Sequence, residues 1–239
     1  MLDYNPIIVA LDISDKNKLS EITNKLADKV GMFKIGLELF VKFGHEIINE
    51  ILNNNGKIML DLKLHDIPNT VQQAAKNAAK LKVSLMTIHT SGGSEMMKAA
   101  VEAVKSAAEE NGTTRTKILG VTILTSINEQ ILSEELNCSK NLTEQVVMLA
   151  KLAKEAGLDG VVCSPKEISE IRAACGKDFL IVTPGIRPAG SDINDQKRIM
   201  TPAEAIRKGV NYMVIGRPIT HAENIEKAAN AILTEIKNA

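Results

Sequence analysis

The chain has 239 residues, a length that suits one barrel-sized α/β domain or two small ones. Hydrophobic residues make up 44% and charged residues 24%, which excludes a disordered or collagen-like chain. Lys plus Arg is 29 and Asp plus Glu is 29, so no net charge draws the chain toward nucleic acid or an anionic membrane, and any anion must be recognised locally. Cys138, Cys163 and Cys175 are odd in number and widely spaced, with no CxxC pair. That argues against a disulfide framework and a cysteine zinc site, and for a reducing, cytoplasmic setting. The opening MLDYNPIIVALDISD has early acids, no basic region and an apolar run too short for a signal peptide or membrane span.

Taken in order, short apolar runs predict strands at Ile7–Ile13, Phe33–Leu39, Lys57–Lys63, Leu85–Thr90, Ile118–Thr125, Gly160–Ser164, Phe179–Thr183 and Tyr212–Ile215. Continuous apolar cores of this kind mark strands covered on both faces, as in a parallel sheet. Helical spacing lies between them. Leu19, Ile22, Leu26 and Val30 form one stripe, Val71, Ala74, Ala75, Ala78 and Leu81 another, and Ile225, Ala228, Ala229, Ile232 and Ile236 the last. Thr201-Pro202-Ala203-Glu204 predicts a capping box with proline at the first helical position. Gly31, Gly56, Gly157 and Gly209 read as helix stops. The longer spacings leave loops at Ile127–Lys140 and Gly185–Met200. Eight βα units without a linker predict a (β/α)8 TIM barrel, one α/β domain over residues 1–239.

In such a barrel the chemistry sits where the strands end. Asp12, Lys34, the run Asp61-Leu62-Lys63-Leu64-His65-Asp66, His89, Thr125 and Ser126, Pro184-Gly185-Ile186-Arg187 and Gly216-Arg217 fall there. Asp61 and Lys63 are two apart, so they share one face of a strand, with Leu62 and Leu64 on the other. A lysine between carboxylates stays protonated, which suits it to donate a proton and stabilise a carbanion. A structural ion-pair network, with Asp66 as a helix N-cap, is the competing reading. Gly216-Arg217 after strand eight marks a phosphate site, with Arg187 and Gln196 beside it, unless these are solvated loop charges. His65 is expected to face outward, His89 to line the site or bond within it, and His45 and His221 to lie on the surface. No HExxH motif, Walker loop or GxGxxG is present, so neither a metal nor a dinucleotide is indicated.

Several stretches together resemble the orotidine 5'-monophosphate decarboxylase family. They are Leu11-Asp12, Lys34-Ile35-Gly36, Asp61 through Thr70 (DLKLHDIPNT), Leu124-Thr125-Ser126, Pro184-Gly185-Ile186-Arg187-Pro188, Asp195-Gln196-Lys197-Arg198 and Gly216-Arg217-Pro218-Ile219. The resemblance runs through nearly the whole chain. It implies a homodimeric barrel that converts orotidine 5'-monophosphate to uridine 5'-monophosphate, the last step of de novo pyrimidine synthesis, with no metal and no organic cofactor. By that resemblance Lys63 protonates C6 and stabilises its carbanion, and Asp61 lies near the substrate carboxylate. Asp66 and Thr70 cross to the neighbouring subunit's site, and Ile67 lines the substrate there. Asp12 and Lys34 hold the ribose and the charge network. Thr125 and Ser126 meet the pyrimidine, and Pro184, Arg187, Gln196, Gly216 and Arg217 surround the phosphate.

Three other classes fit parts of the pattern, of which one, a phosphate-binding isomerase barrel, would release no carbon dioxide. Magnesium-dependent sugar-phosphate decarboxylases and aldolases of the same barrel superfamily share DxKxxD, but the Ile67-Pro68-Asn69-Thr70 continuation and Gln196 favour the nucleotide enzyme. A catalytically silent nucleotide-binding barrel is the third, and the full set of charged groups argues against it.

Overall fold

The computed structural model describes residues 4–188 and 200–239. Among these residues, eight parallel strands close into a barrel in chain order, with β1 (Ile7–Ala10) paired to both β2 (Met32–Gly36) and β8 (Tyr212–Ile215). The others are β3 (Ile58–Leu64), β4 (Leu85–His89), β5 (Lys117–Val121), β6 (Gly160–Val162) and β7 (Leu180–Thr183). Around them run α1 (Lys16–Leu26), α2 (Leu37–Phe43), α3 (Glu46–Asn53), α4 (Pro68–Lys80) and α5 (Gly93–Asn111). The ring continues with α6 (Leu142–Glu155), α7 (Ile168–Cys175), α8 (Pro202–Arg207), α9 (Arg217–Thr220) and α10 (Ile225–Lys237). Each expected strand is present, but several end earlier than the apolar run suggests. The fifth stops at Val121 rather than Thr125, and the second stops at Gly36 because Leu37 already starts α2.

Alternation along the strands creates two apolar layers. Inward residues Ile8, Ala10, Met32, Met59, Leu85, Leu119, Val182 and Val214 fill the barrel interior. Outward residues such as Ile7, Val9, Phe33, Ile35, Ile58 and Leu60 join the helices in the larger outer layer. At about 25 cal/mol per Å² of apolar surface, burial in these layers is the main force that holds the barrel closed. The inner plug matters most for function. Its upper members Ala10, Met59, Val162 and Val214 are the floor of a cavity at the C-terminal mouth.

The expected caps divide. The box at Thr201 and Glu204 forms, with Pro202 in the first turn of α8. A second box joins Asn141 and Glu144 at the start of α6. Gly157 and Gly209 take left-handed backbone with φ of 88° and 91°, as helix stops should. Gly31 and Gly56 do not, and the reason is space. A Cβ on Gly31 would lie 2.1 Å from the Asn5 carbonyl oxygen, and one on Gly56 would lie 2.7 Å from Cγ2 of Ile51. After α3 the left-handed residue is Asn55, with φ of 61°.

Candidate active site

The cavity at the barrel mouth has a volume of about 500 Å³. Asp12, Lys34, Asp61 and Lys63 line one side, and Pro184, Gly185, Arg187, Gly216 and Arg217 line the other. Val121, Ile123, Leu124, Val162 and Cys163 form an apolar wall between them, with Thr125 at its edge. The strand period explains the layout. Asp12, Lys34, Asp61 and Gly216 each follow, by two residues, an inward member of the apolar plug. Polar side chains therefore begin where the plug ends.

The charged side is a connected array. Lys63 Nζ donates to Asp61 Oδ2 at 2.9 Å. Lys34 Nζ lies 3.7 Å from the same oxygen and 3.3 Å from Asp12 Oδ1. The Asp61 side chain is 10% exposed and Lys34 13%, whereas Asp12 is 60% exposed at the rim. A Cβ at position 36 would lie 3.0 Å from Lys34 Nζ, so Gly36 leaves the ammonium its space. Cations and carboxylates alternate here, which offsets the cost of burying any one of them.

Asp61 and Lys63 meet as expected, but not on a regular strand. The pairing of β3 with β4 runs from Leu60 opposite Met86 to Leu64 opposite Ile88, so β3 gains two residues over its neighbour. Lys63 sits inside this irregularity with φ of 52°, a left-handed conformation unusual for a residue with a side chain. Leu62 and Leu64 pack outward, against the helices.

The second half of the same motif lies elsewhere. Asp66, Ile67, Pro68, Asn69 and Thr70 are all exposed and do not line the cavity. Asp66 Oδ1 accepts from the Ile67 N–H at 2.7 Å, yet the N-cap of α4 is Ile67, without a side-chain capping bond. The N-cap role that the competing structural reading gives Asp66 is therefore not what this fold uses. Ser126 is exposed and does not line the cavity either. Gln196 lies outside the described residues.

On the opposite side Arg187 is 7% exposed. Its Nη1 donates to the Ile186 carbonyl at 3.0 Å, while its Nε has no hydrogen-bond partner among the described residues. Burial, and then the charge of Arg217, push the Arg187 guanidinium below its usual range. Two guanidinium groups facing one cavity favour an anion with several oxygens. Arg187 N–H also bonds to the Met200 carbonyl at 3.0 Å, so Gly185–Arg187 is tied to the segment that precedes α8.

The histidines separate. His65 is exposed, and its ring lies 5.4 Å from that of His89. His89 does not line the cavity. Burial pushes its pKa down, His65 and Lys63 add to that, and Asp61 opposes it. The Cys163 thiol is pushed well up by burial, so it serves as apolar wall rather than nucleophile. His221 is exposed, as expected, but also stands at the cavity rim, which its position in the chain does not signal. A further site-adjacent residue, Thr87, follows the inward Leu85 by two positions. The period that singles out Asp61 would also have found it. Among the described residues, no group of three or more His, Cys, Asp or Glu is placed to hold a metal ion.

Comparison with known proteins agrees with the site. The family model described as "Orotidine 5'-phosphate decarboxylase / HUMPS family" matches residues 5–232. An orotidine 5'-phosphate decarboxylase from Moorella thermoacetica is 48% identical over 231 residues, 97% of this chain and 92% of that protein. One from Geobacter sulfurreducens is 51% identical over 230 residues, 96% of this chain and 95% of that protein. The crystal structure of the Lactobacillus acidophilus orotidine 5'-phosphate decarboxylase superposes with a TM-score of 0.87 at 43% identity, covering 98% of this chain and all of that one.

Proposed function

Since the chain belongs to the orotidine 5'-phosphate decarboxylase / HUMPS family, we propose that it converts orotidine 5'-monophosphate to uridine 5'-monophosphate and carbon dioxide, as the last step of de novo pyrimidine synthesis. It is an enzyme of the carboxy-lyase class. The observation that carries the reading is the Lys63–Asp61 pair at 2.9 Å, facing two arginines across one cavity. Charged groups lining one cavity in two sets suit a nucleotide whose reacting carbon and phosphate lie at opposite ends.

In the proposed reaction the bond from C6 to the carboxylate breaks, and its electron pair stays on C6. The Lys63 ammonium stabilises that pair and then gives C6 its proton. A cation already fixed by Asp61 needs no reorganisation when the charge appears. Asp61 stands near the departing carboxylate and disfavours its charge before reaction. Asp12 and Lys34 meet the ribose, and Thr125 meets the base, with Ser126 beside it outside the cavity lining. Arg187, Gln196, Gly216, Arg217 and Pro184 surround the phosphate. Binding energy gained there offsets bringing two carboxylates together. These roles use only groups of the protein itself and call for no cofactor.

The proposed assembly is a homodimer with shared sites. Asp66, Ile67 and Thr70 belong to the same motif as Lys63 but face away from its cavity. Leu37, Val41 and Ile67 are 55%, 82% and 67% exposed, and an apolar groove outside the cavity is lined by Phe40, Leu62, Leu64 and Leu81. A second copy seated there would cover this surface and bring Asp66 and Thr70 to its partner's cavity. We place the protein in the cytoplasm as one domain. Cys138, Cys163 and Cys175 are free thiols, and no described helix is long and apolar enough to cross a membrane.

The test is the ultraviolet absorbance of orotidine 5'-monophosphate with purified protein and excess EDTA. A shift to the product spectrum is expected. No change in EDTA, with turnover of sugar phosphates after magnesium is added, would overturn the reading in favour of the metal-dependent relatives.

A further inference from the structure

The left-handed turn at Lys63 needs an explanation, because a residue with a side chain is disfavoured in such a conformation unless its surroundings hold it. One side chain on the neighbouring strand does so. Thr87, in β4, is fully buried. Its Oγ1 accepts from the Lys63 backbone N–H at 3.0 Å. The same oxygen donates to Asp61 Oδ1 at 2.9 Å. A hydroxyl is suited to this, since it can accept and donate at once.

The two oxygens of Asp61 are thereby divided. Oδ2 faces the ammonium groups of Lys63 and Lys34, and Oδ1 is held by Thr87. Without that second contact the carboxylate could rotate about its terminal torsion, which is broad for aspartate. The bond to the Lys63 N–H also occupies a donor that the two-residue shift in β3 removes from the regular ladder.

We propose that Thr87 is the positioning residue of this site. It sets the backbone turn that aims Lys63 and the rotation of the Asp61 carboxylate through one hydroxyl, without touching substrate. The proposal rests on the assignment of Lys63 and Asp61 to catalysis above.

Thr87→Val keeps the shape and removes the hydroxyl, and Thr87→Ser keeps the hydroxyl and removes the methyl. In Thr87→Val, kcat should fall by roughly a hundredfold, the effect of a misplacement near 1 Å. KM and the affinity for uridine 5'-monophosphate, read by calorimetry, should stay within about threefold, because the arginine side is untouched. Thr87→Ser should restore most of kcat. If Thr87→Val does not fold, Thr87→Ala, which leaves room for water, should show the same loss in kcat alone. Wild-type kcat in the valine or alanine variant would overturn the proposal. So would an equal loss in Thr87→Ser, which would make the methyl the important group. Lys63→Ala measured alongside separates the two claims. Normal turnover there would sink the underlying assignment, whereas an inactive Lys63→Ala beside a fully active Thr87→Val would remove Thr87 alone.

Discussion

On the β2–β3 side of the cavity, opposite charges sit within 4 Å of each other, Lys63 and Lys34 against Asp61, and Lys34 against Asp12. On the β7–β8 side, Arg187 is buried, its Nε has no hydrogen-bond partner among the described residues, and burial and then the charge of Arg217 push its pKa down. The first region carries its compensation within the protein. The second leaves the buried Arg187 beside a like charge, which a bound anion would offset. A group that must act on a transient charge gains from being fixed in advance, because nothing then moves when the charge appears. A group that must capture a ligand gains from being left wanting, because the ligand supplies what is missing. Damage to the first should therefore show in kcat, and damage to the second in substrate capture.

The largest expected effect sharpens that contrast. Lys63→Ala should lose kcat by more than about a thousandfold, since both the preorganised charge and the proton source go. Circular dichroism should stay native, and steady-state turnover near wild type would break the comparison. Next comes a mixing experiment. Lys63→Ala and Asp66→Ala subunits are each expected to be nearly inactive, but co-refolded they should regain up to about a quarter of wild-type activity. One hybrid site in the heterodimer keeps both native groups. No recovery, with heterodimers verified by mass, would refute the shared site. Arg217→Ala should then cost up to about 2–5 kcal/mol in kcat/KM, with kcat at saturation affected least. An unchanged kcat/KM would take Arg217 out of the phosphate side.

The smallest effect concerns His89. Its folded pKa is lowered, so the unfolded chain takes up the proton first as pH falls. No cost is present well above the usual histidine value near 6.5, and a growing cost appears below it. His89→Gln should therefore lose less melting temperature than the wild type between pH 7 and pH 5. An equal or greater loss would show that His89 does not contribute to acid sensitivity.

The sequence reading recovered most of what local patterns can carry. Apolar runs located the strands because each is covered on both faces, and the count of βα units gave closure. The spacing of Asp61 and Lys63 placed both at the mouth. What it missed depends on neighbours across the sheet. The two-residue shift in β3 is a relation between β3 and β4, and nothing within DLKLHD marks Lys63 as left-handed. Thr87 carries no charge, so nothing but its two-residue spacing from Leu85 marks it among the residues near strand ends. Gly31 stops no helix, and Gly56 helps to end α3 only behind the left-handed Asn55, by donating its N–H to the Ile51 carbonyl, a contact invisible in a linear pattern. The exposure of Asp66 through Thr70 likewise follows from where α4 starts rather than from residue type.

The pairing of β1 with β8 also bears on how the molecule is made. Ile8 lies opposite Val214, so the seam joins residues separated by nearly the whole chain. On the ribosome, β1 emerges first of the eight strands and must wait for β8, the last of them, before its second edge is covered. Until then its N–H and C=O groups are open to a stray strand from another nascent chain. Long-range pairing of this kind makes closure a slow event. The seam is therefore the place where crowding, translation speed and chaperone supply should decide how much of the protein reaches its working form.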